Sequence, residues 1–320
     1  METDRDHDWR DKDEAGKVRA RFDFEIEPIR SNETSQIVTV RVQPSKRRYS
    51  IVEVNGERHY LDKFLRMMIP EEAVKEMAAA QFGGLPVIYN PPSIESARKY
   101  ASSRHGAIAA ELRGESYVAP IEKARPQSQL SFAGGTRFLT FLSVDICGSS
   151  GLRRRDPDAF ERAYDIFLRE LATSVGHFHG AILKTTGDGF IATIDSDGYT
   201  TQCDNTVDLG LTFLAVLRGS VNPALEAAGL PTLSIRVGAD CGAARLRKIT
   251  VPATGFEAPE VASDALNRAV KIEQTAAANE LRIGRGLYEL VHVQWLERCE
   301  EVEFDGNEVG IEGYQVYKVE

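Results

Sequence analysis

The chain has 320 residues, of which 42% are hydrophobic, and it carries a formal net charge of −9. This length allows two domains of ordinary size, and the apolar fraction is sufficient for a buried core. The acidic balance, without a long block of lysine or arginine, argues against nucleic acid as a partner. No run of about eighteen apolar residues is present to span a membrane, and the polar, acidic N-terminus is unlike a secretion signal.

The cysteines are scattered along the chain and form no CxxC pair; they are Cys147, Cys203, Cys241 and Cys299. This pattern favours reduced thiols over disulfides or a zinc site. We therefore expect a cytoplasmic protein. An acidic protein can still bind nucleotides when a metal ion supplies positive charge locally.

The first part of the chain predicts a tail followed by strands and helices. Residues 1–17 are charged and nearly free of apolar side chains, which is typical of a disordered tail. Alternating apolar residues then predict half-buried strands, and the dipeptide Asn55-Gly56 predicts a tight hairpin turn. Residues 71–81 favour a helix, and residues 94–112 are compatible with another.

These patterns divide the chain into segments. Residues 18–115 are predicted to form a small N-terminal α+β module of unknown role, in which we find no metal cluster, nucleophile or phosphate loop. Residues 116–136 are rich in proline, glycine and glutamine and are predicted to be a linker. The remainder, residues 137–320, is predicted to be the domain that carries the chemistry.

In the C-terminal domain, apolar strands alternate with amphipathic helices. The predicted elements are a buried strand at 137–146, a helix that begins near Asp156-Pro157, two short strands joined by a hairpin turn at Gly187-Asp188-Gly189, a helix at 207–217, two strands at 233–239 and 243–249 around Asp240-Cys241-Gly242, and a helix at 264–277. The order βαββαβ is that of an α+β, ferredoxin-like fold with helices packed on an antiparallel sheet.

Two aspartates stand where apolar strands end. Asp145 closes the strand Phe-Leu-Thr-Phe-Leu-Ser-Val-Asp, and Asp188 lies in the hairpin turn. Taken singly, each aspartate could be a helix cap or a turn residue. If the strands are neighbours, however, the pair places hard oxygen ligands side by side, which suits Mg²⁺ or Mn²⁺ bound to a triphosphate.

Four segments in this order resemble the catalytic domain of class III nucleotidyl cyclases, the adenylate and guanylate cyclase family. The resemblance covers about residues 136–320, and its motifs are Val144-Asp-Ile-Cys-Gly, Lys184-Thr-Thr-Gly-Asp-Gly, Arg236-Val-Gly-Ala-Asp-Cys-Gly and Ala265-Leu-Asn-Arg-Ala-Val-Lys. It implies cyclisation of a nucleoside triphosphate with release of pyrophosphate. It also implies a homodimer in which each active site is shared between two subunits.

The resemblance assigns roles to individual residues. Two Mn²⁺ or Mg²⁺ ions per site would be held by Asp145, Asp188 and the carbonyl of Ile146. Backbone N–H groups of the segment containing Ser149 and Ser150 could hold the β and γ phosphates. The predicted catalytic residues are Asn267 and Lys271, while Arg137 is a spare basic candidate near the nucleotide.

The resemblance also places Lys184 and Glu260 at the edge of the base. A lysine donates and a carboxylate accepts, which disfavours GTP and leaves ATP, CTP and UTP open. Glu260 replaces the shorter aspartate that adenylate cyclases commonly carry, and Lys271 replaces the usual arginine, so the planar guanidinium fork is lost. Ser149 stands in place of an aromatic residue.

Soluble cyclases with such altered base pockets resemble the pyrimidine cyclases of the Pycsar antiphage system. This resemblance implies production of cyclic UMP or cyclic CMP, read by a separate effector protein, with UTP slightly ahead of CTP. The alternatives are a bacterial adenylate cyclase and a degenerate regulatory module that binds nucleotide without turnover.

Overall fold

The computed structural model describes residues 19–31, 37–82, 91–126, 135–196 and 198–320. The tail predicted at residues 1–17 and part of the predicted linker, residues 127–134, lie outside these ranges. The strands are β1 Phe24–Ser31, β2 Ile37–Pro44, β3 Tyr49–Val54, β4 Glu57–Asp62, β5 Met68–Pro70, β6 Thr136–Ile146, β7 Gly180–Thr185, β8 Gly189–Ile194, β9 Ile235–Val251, β10 Phe256–Ala262, β11 Glu280–Gly284, β12 Cys299–Val302 and β13 Val316–Val319.

The helices are interspersed among these strands, which confirms an α+β protein. They are α1 Glu71–Phe82, α2 Ala97–Leu112, α3 Ser149–Arg155, α4 Pro157–His177, α5 Tyr199–Val216, α6 Asn222–Ala227, α7 Asp264–Thr275, α8 Arg285–Tyr288 and α9 Val293–Leu296. A π-helical segment, Leu217–Val221, joins α5 to α6. None of the helices in the described ranges combines the length and apolar composition that a bilayer crossing requires.

The central sheet has the strand order β12-β13-β11-β9-β6-β8-β7, and β10 pairs with the outer part of β9. Within it, β9-β6-β8-β7 is the ferredoxin-like arrangement that the βαββαβ order predicts. Neighbouring strands are antiparallel except for β11, which runs parallel to β9. The middle strand β6 is therefore flanked on both sides, which explains why it is apolar along its length.

Side chains of β6 alternate between the two faces of the sheet. Leu142, Val144 and Ile146 belong to the main core, which they share with α4 and α5. Leu139 and Phe141 face the other way and pack with the N-terminal half of α7. Asp145 lies an even number of residues after Leu139 and Phe141, so its side chain is on the same face of the sheet, which α7 partly covers.

Helix α7 packs directly on β9 at a glycine. A Cβ atom at Gly238 would lie 2.2 Å from the amide nitrogen of Glu273 and 2.4 Å from the carbonyl oxygen of Ala269. Only a residue without a side chain allows this approach of helix and strand backbones. Because Gly238 pairs with Ser143 of β6, the last turns of α7 lie close to the end of β6 that carries Asp145.

The prediction of two strands around Asp240-Cys241-Gly242 is wrong, because β9 is continuous from Ile235 to Val251. Asp240 is fully buried in the sheet rather than exposed in a turn. Its Oδ2 accepts hydrogen bonds from Arg268 Nε at 2.5 Å and from the Tyr314 hydroxyl at 2.7 Å. These hydrogen bonds offset the free-energy cost of burying the Asp240 carboxylate, which the sequence alone would place at the surface.

A network of ion pairs links the N-terminal strands to one another and, through Arg21, to α5. Arg48, which is fully buried, binds Asp62 at 2.7 Å and Asp23 at 3.0 Å. Arg21 binds the other oxygen of Asp23 and also reaches Asp204 on α5 at 2.8 Å. The predicted hairpin is confirmed in β3 and β4, where Asn55 and Gly56 both have positive φ.

Helix α2 packs in the same hydrophobic core as the helices that cover one face of the central sheet. Its Tyr100, Ala101 and Ile108 are buried in the cluster that contains α4 and α5. Arg104 of α2 donates to both carboxylate oxygens of Glu170 on α4, at 2.7 and 2.9 Å. The domain boundaries at residues 115 and 136 remain predictions, but α2 packs as a layer of the fold that contains Asp145.

Candidate active site

Strand pairing brings the two predicted metal aspartates together. Asp145 is the penultimate residue of β6, and the residue opposite it on β8 is Gly189. A Cβ atom at position 189 would lie 1.9 Å from the Val144 carbonyl oxygen, so the close approach of the two strands requires glycine. Asp188 immediately precedes this contact in the β7–β8 turn, and its carboxylate interacts with that of Asp145.

Asp145 lies in an environment that disfavours its charge. Partial burial raises its pKa, the hydrogen bond from Arg236 opposes that rise, and the neighbouring Asp188 raises the pKa further. Arg236 Nη2 donates to Asp145 Oδ2 at 2.5 Å from the adjacent strand β9. Because a bound cation would relieve the repulsion between the two carboxylates, this arrangement fits a metal site.

Glu273 is a third carboxylate close to the pair, and sequence reasoning missed it. It is 5% exposed, and burial together with the charge of Asp145 raises its pKa to about 7. Its Oε1 lies 3.2 Å from Arg236 Nε, and the Ser143 hydroxyl donates to its Oε2 at 3.4 Å. Arg236 therefore bridges Asp145 and Glu273.

A sequence signal for Glu273 and Arg236 did exist. Glu273 falls on the buried stripe of α7 with Ala265, Ala269 and Ile272, where a carboxylate needs a partner. Arg236 stands near the start of a buried strand and pairs with Asp145 across the sheet. The register that joins them becomes visible only once β6 and β9 are placed side by side.

The donor set suits a hard divalent cation but is incomplete by itself. In this donor set, Asp145 and Asp188 would supply carboxylate oxygens, and Ile146 would supply the backbone carbonyl predicted as a further ligand. In the described parts of the chain, no group of three or more histidine, cysteine, aspartate or glutamate side chains is placed to hold a metal ion. Mg²⁺ commonly takes one or two carboxylates and completes its shell with water and substrate phosphates, so the residues present fit such an ion.

Ser149 connects the start of α3 to this pair. Gly148 precedes it with a φ of 67°, and the Ser149 side chain is buried with its hydroxyl donating to Asp188 Oδ2. Ser150, the next residue, is exposed. The predicted phosphate-binding segment therefore begins beside Asp188, and its serine orients the carboxylate.

The predicted base and ribose residues come from three separate elements, Lys184 from β7, Glu260 from β10 and Asn267 from α7. Lys184 and Asn267 are exposed and Glu260 is half-buried. Their sequence neighbours Leu183, Val261 and Leu266 pack against the small apolar cluster that contains Leu139, Phe141 and Leu246. Because successive side chains of a strand point to opposite faces, Glu260 lies on the face of β10 opposite to Val261.

Glu260 has a partner that the sequence did not indicate. It lies on β10 directly opposite Arg247 of β9, and the two side chains form an ion pair in which Arg247 Nε donates to Glu260 Oε2. The expected carboxylate acceptor is thus accompanied by a guanidinium donor.

The basic residues near Asn267 differ in accessibility. Lys271, one turn after Asn267, is partly exposed, and its Nζ lies 3.4 Å from Glu308 Oε2. Arg268 is buried against Asp240 and donates to the Cys241 carbonyl oxygen at 3.1 Å. Arg268 therefore points away from the exposed face of α7 and belongs to the core.

Arg137 is not brought to this site within one protomer. It lies at the opposite end of β6 from Asp145, about 26 Å away at the usual rise per residue of a strand. There it forms an ion pair with Asp195, which follows β8. Its prediction as a nucleotide-binding residue therefore has no support from the neighbourhood of the aspartates.

The fold is found in solved structures of known cyclases. The crystal structure of the guanylyl cyclase Cya2 superimposes with a TM-score of 0.50 and 19% identity, over 58% of this chain and 93% of that one. The adenylyl cyclase CyaB from P. aeruginosa gives 0.51 and 18%, over 58% of this chain and 95% of that one. The chain has the fold of a class III cyclase catalytic domain. No family model and no curated protein matches its sequence.

Proposed function

We propose that the protein is a metal-dependent nucleotidyl cyclase that converts a nucleoside triphosphate to a 3′,5′-cyclic nucleotide and pyrophosphate. The observation that carries this proposal is the position of Asp145 opposite Gly189 and thus next to Asp188, at the ends of two central strands of a sheet with the class III cyclase fold. The neighbouring carboxylates attract a divalent cation, and the bound cation would in turn attract the phosphates of a nucleoside triphosphate.

The reaction is an in-line phosphoryl transfer. The ribose 3′-oxygen bonds to the α-phosphorus as it loses its proton, and the bond from the α-phosphorus to the β-phosphate oxygen breaks. Two Mn²⁺ or Mg²⁺ ions, when bound, lower the pKa of the attacking hydroxyl and neutralise charge on the phosphates. Asp145 and Asp188 would hold these ions, Ser149 orients Asp188, and Arg236 fixes Asp145 from the neighbouring strand.

The remaining residues act from a second subunit in this proposal. Asn267 would position the ribose, and Lys271 would neutralise charge at the α-phosphate. The exposed position of Asn267 on α7, outside the core, supports a role at an interface between protomers. Because one chain carries both halves of the active site, a symmetric homodimer would have two equivalent sites, each shared between the two subunits.

The base pocket favours uracil. Lys184 donates, Glu260 accepts, and Arg247, paired with Glu260, adds a second donor. Uracil presents O4, N3–H and O2 along one edge, which complement donor, acceptor and donor in turn. Cytosine pairs with Lys184 and Glu260 but leaves Arg247 without an acceptor in the same orientation. Adenine pairs with Lys184 and Glu260 and offers Arg247 only N7, which lies on its Hoogsteen edge. Guanine would bring its exocyclic amine against a donor.

We therefore place UTP ahead of CTP, with cyclic UMP as the product. A soluble pyrimidine cyclase of this kind fits a role in antiphage defence, in which the product activates a separate effector protein. The competing functions are an adenylate cyclase and a nucleotide-binding module without turnover. Lys271 in place of arginine favours the last, whereas the paired aspartates favour catalysis.

Turnover of the four ribonucleoside triphosphates tests the proposal. Purified protein with Mn²⁺ and each radiolabelled triphosphate should release cyclic UMP fastest. Asp145→Ala should abolish product without loss of the folded dimer, as judged by circular dichroism and light scattering. Cyclic AMP as the main product would replace the pyrimidine assignment, and no cyclic product from any triphosphate would remove the enzyme assignment.

A further inference from the structure

A buried contact between Arg236 and Glu273 is incomplete, and it lies beside the aspartate pair. The Arg236 Nε and Glu273 Oε1 atoms are 3.2 Å apart, a distance that suits a hydrogen bond, but their relative orientation does not. Both atoms are closed to solvent, and neither makes a hydrogen bond with any described residue. The unsatisfied donor and the unsatisfied acceptor therefore face each other, and a small rotation of the guanidinium would satisfy both.

The shortest hydrogen bond of this guanidinium goes to Asp145. Arg236 Nη2 donates to Asp145 Oδ2 at 2.5 Å from the neighbouring strand. The Arg236 and Asp145 side chains are 29% and 20% exposed, whereas Glu273 is buried behind them. Arg236 thus occupies one oxygen of a carboxylate that is expected to bind divalent cations, and a second carboxylate lies on its buried side.

Glu273 is held in place by contacts other than Arg236. The backbone of α7 approaches β9 so closely that a Cβ atom at Gly238 would lie 2.2 Å from the Glu273 amide nitrogen. The Ser143 hydroxyl donates to Glu273 Oε2 at 3.4 Å, and Ser143 is the residue opposite Gly238 on β6. The Glu273 carboxylate therefore stays available as an acceptor if the guanidinium moves.

We propose that Glu273 is a positioning residue of the metal site, which accepts the Arg236 guanidinium when a divalent cation binds Asp145. This inference rests on the proposed function only through its metal site. A carboxylate that bridges two metal ions uses both of its oxygens, so the cations must displace Arg236 from Asp145 Oδ2. Arg236 fixes Asp145 until that point, and the exchange then breaks one charged hydrogen bond and completes another.

The alternative acceptor is what makes the exchange favourable. A guanidinium that lost Asp145 without gaining a partner would be a partly buried, unpaired charge, which is costly. Glu273 removes that cost without any movement of the backbone, because its Oε1 already lies 3.2 Å from Arg236 Nε. The affinity of the site for a cation therefore depends on Glu273 through Arg236.

Mn²⁺ binding without nucleotide tests this dependence. The full chain is titrated at pH 8, because burial raises the pKa of Glu273 to about 7, and free Mn²⁺ is followed by electron paramagnetic resonance. Glu273→Gln should weaken binding about tenfold, since a neutral acceptor holds the guanidinium less strongly and leaves it on Asp145. Arg236→Met should strengthen binding about tenfold, since the competitor for Asp145 is removed. Asp264→Asn, at the exposed start of α7, is the matched control and should leave the affinity unchanged.

A double variant separates an effect through Arg236 from a direct attraction between Glu273 and the cation. In the Arg236→Met background, Glu273→Gln should change the affinity less than about twofold, because no guanidinium remains to be held. An undiminished loss in that background would overturn this inference and leave the proposed function in place. Absence of Mn²⁺ binding in both the wild type and Arg236→Met would remove the metal site, and with it both proposals.

A crystal structure of the wild type with Mn²⁺ alone gives a readout that does not depend on the folding of variants. Arg236 Nη2 should lie beyond hydrogen-bond distance from Asp145, and Arg236 Nε should donate to Glu273 Oε1. An Arg236 that keeps its hydrogen bond to Asp145 Oδ2 beside a bound Mn²⁺ would show that no exchange takes place, and the positioning role of Glu273 would be withdrawn.

Discussion

At the scale of single residues, the proposed preference for UTP depends most on the ion pair between Arg247 and Glu260. Glu260 matches a base-recognition position of the cyclase resemblance, and a carboxylate there can accept a hydrogen bond from a base. The structure adds a guanidinium that shares this carboxylate across the β9–β10 ladder. A pocket with two donors around one acceptor discriminates between pyrimidines, because only uracil has two carbonyl oxygens on this edge.

Arg247→Leu should therefore lower the preference for UTP over CTP. Loss of one charged hydrogen bond is expected to reduce the ratio of the two kcat/KM values about tenfold. The control is Lys248→Leu, the neighbouring residue, whose partner is Glu257 rather than Glu260. The ratio is measured from initial rates with each triphosphate, and a ratio that does not change in Arg247→Leu would exclude Arg247 from base recognition.

Asp208 on α5 gives a pH dependence of stability that is independent of the active site. Burial raises its pKa to about 6, opposed by Arg298 and supported by Asp204. The folded protein therefore holds this proton more tightly than the unfolded chain does. The contribution of Asp208 to the free energy of unfolding is therefore fully present below pH about 4 and is lost as the pH rises to about 6.

Asp208→Asn should remove this dependence. At pH 7 to 8 the variant should be more stable than the wild type by about 1 kcal/mol, discounted for the partial exposure of the side chain. Urea unfolding between pH 4 and pH 8 measures the difference. The control is Asp165→Asn on the exposed side of α4, which should leave the pH dependence of the free energy of unfolding unchanged. An Asp208→Asn variant that is less stable than the wild type at pH 8 would contradict the expectation.

At the scale of elements, a buried ion pair joins α2 to α4 beside their apolar contacts. Arg104 and Glu170 are 3% and 1% exposed and form a bidentate contact between α2 and α4. Arg104→Met should destabilise the protein by about 3–5 kcal/mol, because Glu170 is left charged and buried. The double variant Arg104→Met/Glu170→Met should recover most of that loss in urea unfolding. A double variant no more stable than the single one would show that the pair is not the source of the cost.

The elements also show what the sequence predicts well. The hairpin of β3 and β4 follows from Asn55-Gly56, because both residues adopt the positive φ that this turn needs. The start of α4 follows from Asp156, whose carboxylate caps the helix by accepting from the amide of Ala159. These features depend on residues a few positions apart, and local chemistry is sufficient to predict them.

Features that depend on distant partners were not predicted. The continuity of β9 through Asp240 requires Arg268 and Tyr314, which lie far along the chain. The link from Asp145 through Arg236 to Glu273 likewise joins β6, β9 and α7. The aspartate pair itself was predictable because Asp145 lies at the end of an apolar strand and Asp188 lies in a hairpin turn between two others. The side chains that surround the pair are set by the register of the sheet, which the sequence does not show.

At the scale of the whole molecule, the proposed site needs two copies of the chain. Asp145 and Asp188 lie where β6 ends and β8 begins, while Lys184, Glu260 and Asn267 lie on β7, β10 and α7. If the two groups meet only across a dimer interface, a defect in one group can be complemented by a subunit that carries the other.

Asp145→Ala and Asn267→Ala should each abolish activity as separate homodimers, because every site then lacks one half. After co-refolding in equal amounts, random pairing makes half of the dimers mixed, and each mixed dimer has one intact site and one doubly defective site. We therefore expect about a quarter of the wild-type activity, measured after the mixed dimer is verified by two different affinity tags. A purified mixed dimer without activity would place both groups of residues in the same protomer's site, and the shared-site geometry would have to be abandoned.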